Sequence, residues 1–124
     1  MHSPSLSPCY NDLMARITYN KLIRDKIPDI IIADNATPKI SVLSDEQFAL
    51  ALKQKIVEEA MELLEAKSND DMINEISDLL EIVDAIVAHH HIDTNALMEK
   101  KRSKREKRGG FEERLFLEYT DDEK

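Results

Sequence analysis

"KIVEEAMELLEAKSNDDMINEISDLLEIVD", Lys55 to Asp84, decides the fold. Apolar residues recur every three or four positions on both sides of "SNDD" (Ser68–Asp71), with no glycine or proline to interrupt them. That pattern predicts two amphipathic helices joined by a tight turn. Upstream, "SDEQ" from Ser44 is the Ser-x-x-Gln form of a capping box, with Asp45 and Glu46 placed for the positive end of a helix dipole. The first long helix therefore runs from about Asp45 to Lys67, roughly 34 Å at 1.5 Å per residue. Ser68 opens the second, to about His89. Asp93 caps a third that ends near Gly109 and Gly110, the only glycines in the chain. Further upstream, Ile23, Ile27, Ile30 and Ile31 follow a helical spacing, and Pro28 fits only a first turn. This short helix begins at about Asp25 to Ile27, and "ADNATPK" after it is a turn. "ITYN" is β-prone, and "FEERLFLEYT" (Phe111–Thr120) partly alternates apolar and polar residues, which reads as a short strand. The expected fold is all-α, an antiparallel helical bundle with short extended segments at its N- and C-terminal ends.

A chain of 124 residues with 42% hydrophobic content fits one small domain, with a core of its own. Residues 17–120 carry it. Residues 1–16, rich in serine and proline, read as a flexible extension, and 121–124 as an acidic tail. No apolar run is long enough for a membrane span, and the first residues lack a secretory pattern. A cytoplasmic, membrane-free protein is expected. Cys9 is the only cysteine, so a metal must be held by oxygen or imidazole ligands. Net charge −8 argues against nucleic-acid polymers as partners. Charge is also segregated: Glu58 to Asp84 holds ten carboxylates and one lysine, and Lys100 to Arg108 holds seven cations and one glutamate. Together such segments suit a metal ion and an anion.

On a wheel of about 100° per residue, Glu59 falls within the apolar arc of its helix, between Phe48 and Leu52. Glu62 lies at the arc's edge. In the next helix Glu75 falls between Ile82 and Ile86, and Asp78 lies at the edge, the same displacement. Glu58, Glu65, Glu81 and Asp84 point outward. An ionised carboxylate facing a core costs several kcal/mol unless paired or coordinated. Four converging carboxylates repel, and a divalent cation resolves the conflict; hard oxygen donors favour Mg²⁺, with Mn²⁺ as a substitute. The competing explanation is that regularly spaced glutamates only keep a helix soluble.

"EAME" (Glu59–Glu62), twelve residues, then "EISD" (Glu75–Asp78) resembles the ExxE…ExxD signature of the MazG-like all-α nucleoside triphosphate pyrophosphohydrolases. That superfamily includes dimeric dUTPases and phosphoribosyl-ATP pyrophosphohydrolase. "YNKLIRDKIPDII" (Tyr19–Ile31) and "KRGGFEERLFLE" (Lys107–Glu118) resemble the flanks of a small stand-alone subgroup. The resemblance covers about Ile17 to Tyr119 and implies a four-helix type of bundle. It implies Mg²⁺-dependent cleavage of a nucleotide substrate between its α and β phosphates, releasing the monophosphate and pyrophosphate. It also implies Glu59, Glu62, Glu75 and Asp78 as catalytic metal ligands. Glu58, directly before the first motif, is a further candidate base or supporting carboxylate, against its outward position on the wheel, which favours a solvated face. The basic segment of longer MazG proteins is absent here, so their substrate preference does not carry over.

A triphosphate also needs cations. Lys21, Arg24 and Lys26, with Lys101, Lys104 and Arg108, are the candidates for phosphate binding. The 100–108 run equally reads as a basic helix end complementing its dipole. His89–His91 diverge by about 100° per step and read as a helix-end cluster. Met61 and Met72 read as core. A three-helix core with apolar surface to spare suggests a homo-oligomer. The rival readings are a non-catalytic dimerisation or binding module and a nucleotide sensor without turnover.

Overall fold

The computed structural model describes residues 15–122. Four helices follow in order: α1 (Ile27–Ala33), α2 (Asp45–Glu65), α3 (Asn69–His89) and α4 (Thr94–Arg108). The fold is all-α, and among the described residues there is no strand. The flexible extension expected over 1–16 lies outside the described residues except for its last two, as does the end of the acidic tail.

Local chemistry sets each boundary. α1 has proline in its first turn, where the missing N–H costs nothing. Asn35 ends it with φ 65°, a left-handed conformation that asparagine tolerates. α2 starts on a complete capping box: the Ser44 hydroxyl accepts from the Gln47 N–H at 3.2 Å and the Ser44 N–H donates to Gln47 Oε1 at 3.0 Å. It stops at Glu65, two residues before the expected Lys67, because Ala66 is already extended. The chain must open there for Ser68 to cap α3, its hydroxyl accepting from the Asp71 N–H at 3.1 Å. Only residues 66–68 join the two 21-residue helices, which therefore form an antiparallel hairpin. Asp93 caps α4 through the Asn95 N–H at 3.0 Å, and Gly109 ends it with φ 80°.

The chain divides inside α3, at Ile86, into two compact units. The first contains α1, α2 and most of α3. Its centre is Leu52 from α2 and Ile82 from α3, 2% and 8% exposed, with Phe48, Ile56, Leu63, Leu79 and Ile86 half-buried around them. Part of each apolar arc is uncovered: Val57, Met61 and Leu64 on α2, and Ile73, Ile76 and Leu80 on α3, are exposed.

The second unit holds the end of α3, α4 and the tail. Its C-terminal stretch corrects the strand expected over "FEERLFLEYT". The stretch bends at Arg114, whose N–H donates to the Phe111 carbonyl at 3.1 Å. Beyond it, Leu115, Phe116, Leu117 and Tyr119 are exposed. Alternation prepares a segment for pairing, but a ladder needs a second strand, and the described residues offer none. The same holds for "ITYN".

Candidate metal centre

The hairpin brings acids of α2 and α3 face to face. Two groups of carboxylates, Glu58–Glu59–Glu62 and Glu59–Glu75–Asp78, each place ligand oxygens within 4.8 Å of one another. Glu59 belongs to both and is buried at 6% exposure, beside the core formed by Leu52 and Ile82. Glu75 and Asp78 are half-buried and Glu62 is exposed. This matches the wheel, which set Glu59 and Glu75 inward and Glu62 and Asp78 at the margin. Glu59 Oε2 and Glu75 Oε2 are buried without a hydrogen-bond partner. Such oxygens are costly in a folded protein. Below them, Glu62, Glu65, Ala66, Asp71 and Glu75 line an open pocket at the turn end of the hairpin.

Cations surround the acids. Lys55, one turn before them on α2, lies 3.1 Å from Glu58 Oε2 and 3.6 Å from Glu59 Oε1. The segment before α1 contributes Lys21, 3.5 Å from Glu58 Oε1, and Arg24, which donates to Asp78 Oδ1 at 2.8 Å. Asn74 Nδ2 donates to Glu75 Oε1 at 3.3 Å. Glu58 and Glu62 feel opposite fields. The adjoining Glu59 carboxylate, together with burial, holds the Glu62 carboxyl above its ordinary value. Burial pushes Glu58 up, but Lys55 and Lys21 together hold it below.

Of the residues expected to act, Glu58, Glu59, Glu62, Glu75, Asp78, Lys21 and Arg24 come together in the first unit. Lys26 is exposed at the N-cap of α1. Lys101, Lys104 and Arg108 belong to the second unit, where they line a pocket with Arg105, Gly109, Gly110 and Phe111. Glu58 departs from the outward placement read from the wheel: the segment carrying Lys21 covers that face and leaves it half-buried. Lys55 was not among the expected residues. Its signal was present as a lysine three and four positions before Glu58 and Glu59, a spacing that places them together on a helix. Among the described residues, the two acidic groups are the ones able to hold a metal, and the histidines at 89–91 are in neither. No described helix is long and apolar enough to cross a membrane.

The sequence pattern of phosphoribosyl-ATP pyrophosphohydrolase matches residues 24–105, from Arg24 through both acidic motifs and nearly to the end of α4. The chain belongs to the phosphoribosyl-ATP pyrophosphohydrolase family. This is an all-α family of the MazG-like type. An uncharacterised protein of Mycolicibacterium smegmatis is 44% identical over 50 residues, covering 40% of this chain and 51% of that protein. The chain thus spans about half the length of this curated relative. No solved structure matches. In this family member the matched region contains every carboxylate of the two groups.

Proposed function

We propose that the chain is a divalent-metal-dependent nucleotide pyrophosphohydrolase. It cleaves a nucleoside triphosphate, or a related nucleotide, between the α and β phosphates to give the monophosphate and pyrophosphate. The observation that carries this reading is the pair of buried, unpartnered oxygens, Glu59 Oε2 and Glu75 Oε2, in groups whose ligand atoms lie within 4.8 Å. An all-carboxylate donor set on facing helices fits a hard cation. Glu59, Glu75 and Asp78 would hold Mg²⁺, or Mn²⁺ in its place, with Glu62 at the rim. When bound, the ion supplies Lewis acidity toward phosphate oxygens and offsets charge on the leaving pyrophosphate.

The chain's own groups do the rest. Arg24 and Lys21 already stand against the acids, and with Lys26 they supply positive charge for phosphate oxygens from the segment leading into α1. Exposed Glu62 is open to water and is the carboxylate suited to aligning the attacking molecule and accepting its proton. Glu58, with both oxygens in ion pairs to lysines, is poorly suited to that task and serves to hold Lys21 and Lys55. Lys101, Lys104 and Arg108 are further phosphate-binding candidates in the second unit. The flanking "YNKLIRDKIPDII" and "KRGGFEERLFLE" motifs support a place in the small stand-alone MazG-like subgroup, acting on cytoplasmic nucleotides as a homo-oligomer.

Incubation of purified protein with a panel of nucleoside triphosphates and Mg²⁺, followed by quantification of monophosphate and pyrophosphate, tests the reading. Metal-dependent release that is lost in Glu59→Gln and Glu75→Gln is expected. Binding of a nucleotide without release would favour a sensor instead, and neither binding nor release from any nucleotide would favour a non-catalytic module.

A further inference from the structure

The two acidic groups share Glu59, yet they differ in what already occupies them. In Glu58–Glu59–Glu62, Lys55 Nζ lies against Glu58 Oε2 at 3.1 Å and Glu59 Oε1 at 3.6 Å. Lys21 takes the other Glu58 oxygen at 3.5 Å. Three of the four oxygens of Glu58 and Glu59 thus face ammonium groups. In Glu59–Glu75–Asp78 the remaining Glu59 oxygen and one Glu75 oxygen are buried and unpartnered. The cation there is Arg24, on Asp78, with a side chain 56% exposed. Lys55 is different in kind: its side chain is 17% exposed, and an ion pair out of water holds more firmly than one in it.

We propose that Lys55 is a positioning residue that acts as a built-in monovalent cation in the Glu58–Glu59–Glu62 group, confining tight divalent binding to Glu59–Glu75–Asp78. The lysine holds Glu59 Oε1, which leaves the buried, unpartnered Oε2 as the Glu59 oxygen free for a divalent ion. It also puts a fixed positive charge where a second divalent ion would otherwise sit, and like charges at that range repel strongly in a half-buried site. An i,i+3 and i,i+4 pair made only for helix stability would impose no such choice, since it functions equally well on an exposed face. This inference rests on the metal-centre reading above and adds the number of tightly held ions and the residue that sets it.

Titration of the full chain with Mn²⁺ alone, by calorimetry and electron paramagnetic resonance, tests it. The wild type is expected to bind one tight ion with the spectrum of an isolated Mn²⁺. Lys55→Met, checked for folding by circular dichroism, should bind a second ion at least about tenfold more tightly than the wild type does. The two ions should show spin coupling, because ions bridged by one carboxylate lie roughly 4 Å apart. Lys55→Arg should keep one. Should Lys55→Met fail to fold, Lys55→Gln carries the same expectation. Two equally tight ions in the wild type, or an unchanged single ion in the folded neutral variant, would overturn the role of Lys55 and leave the metal-dependent reading standing. A wild type that binds no Mn²⁺ overturns both.

Discussion

Glu59 sits where a side chain of its kind is expensive: 6% exposed, beside Leu52 and Ile82, with only one oxygen facing a cation. Replacing it by glutamine removes a buried charge, while Lys55 keeps its closer partner Glu58. Glu59→Gln should therefore unfold at the same temperature as the metal-free wild type or higher, and should lose the rise in melting temperature that Mg²⁺ gives the wild type. Thermal unfolding with and without the ion checks both halves. A second residue-scale expectation concerns Glu112, whose carboxyl the Arg105 guanidinium holds below its ordinary value. Because the folded value is lowered, the pair contributes stability fully above the ordinary carboxylate range and loses it as pH falls through the lowered value. Carbon-detected NMR titration should find Glu112 titrating below its ordinary value, and closer to that value in Arg105→Gln. At this scale the inward offsets of Glu59 and Glu75 were legible in the sequence, because helical angle decides which side chains share a face. The half-burial of Glu58 was not, since a wheel treats one helix and Lys21 arrives from another segment.

Helix starts in this chain are written in short polar motifs, and they read correctly. Ser44 with Gln47, Ser68 with Asp71, and Asp93 with Asn95 each satisfy a backbone N–H that the first turn leaves unpaired. Ser44→Ala removes half of a reciprocal pair and should cost about 1 kcal/mol, measurable by urea denaturation. The strand expected after Gly110 failed for a different reason. A cap is a contact over three residues and is encoded locally, whereas a strand exists only with a distant partner. Leu115, Phe116 and Leu117 are exposed there, with no ladder among the described residues to receive them.

At the scale of the whole molecule, the sequence promised a core and the single chain closes only part of one. Val57 and Leu64 on α2 and Ile73 and Leu80 on α3 are 63%, 78%, 66% and 60% exposed. Such surface is what an interface between copies covers, in line with the proposed homo-oligomer. Sedimentation equilibrium should give a mass at least twice 14.3 kDa, and Leu64→Lys with Leu80→Lys should lower it. Composition counts apolar residues but not whose surface they cover, which is why the oligomer was only a suggestion of the sequence. The connection at 66–68 has one more consequence, for which kinds of change this gene tolerates. With so short a joint, one inserted residue displaces Glu75 and Asp78 along their helix by about 1.5 Å and turns them by about 100° relative to Glu59. The loop at 34–44, between α1 and α2, has no such coupling to the α2–α3 register. An alanine inserted after Lys67 should leave helix content by circular dichroism near the wild-type value and abolish Mn²⁺ binding, whereas one inserted after Thr37 should spare both. Heredity can therefore lengthen this protein freely on one side of α2, while on the other a single extra codon separates the folded shape from its chemistry.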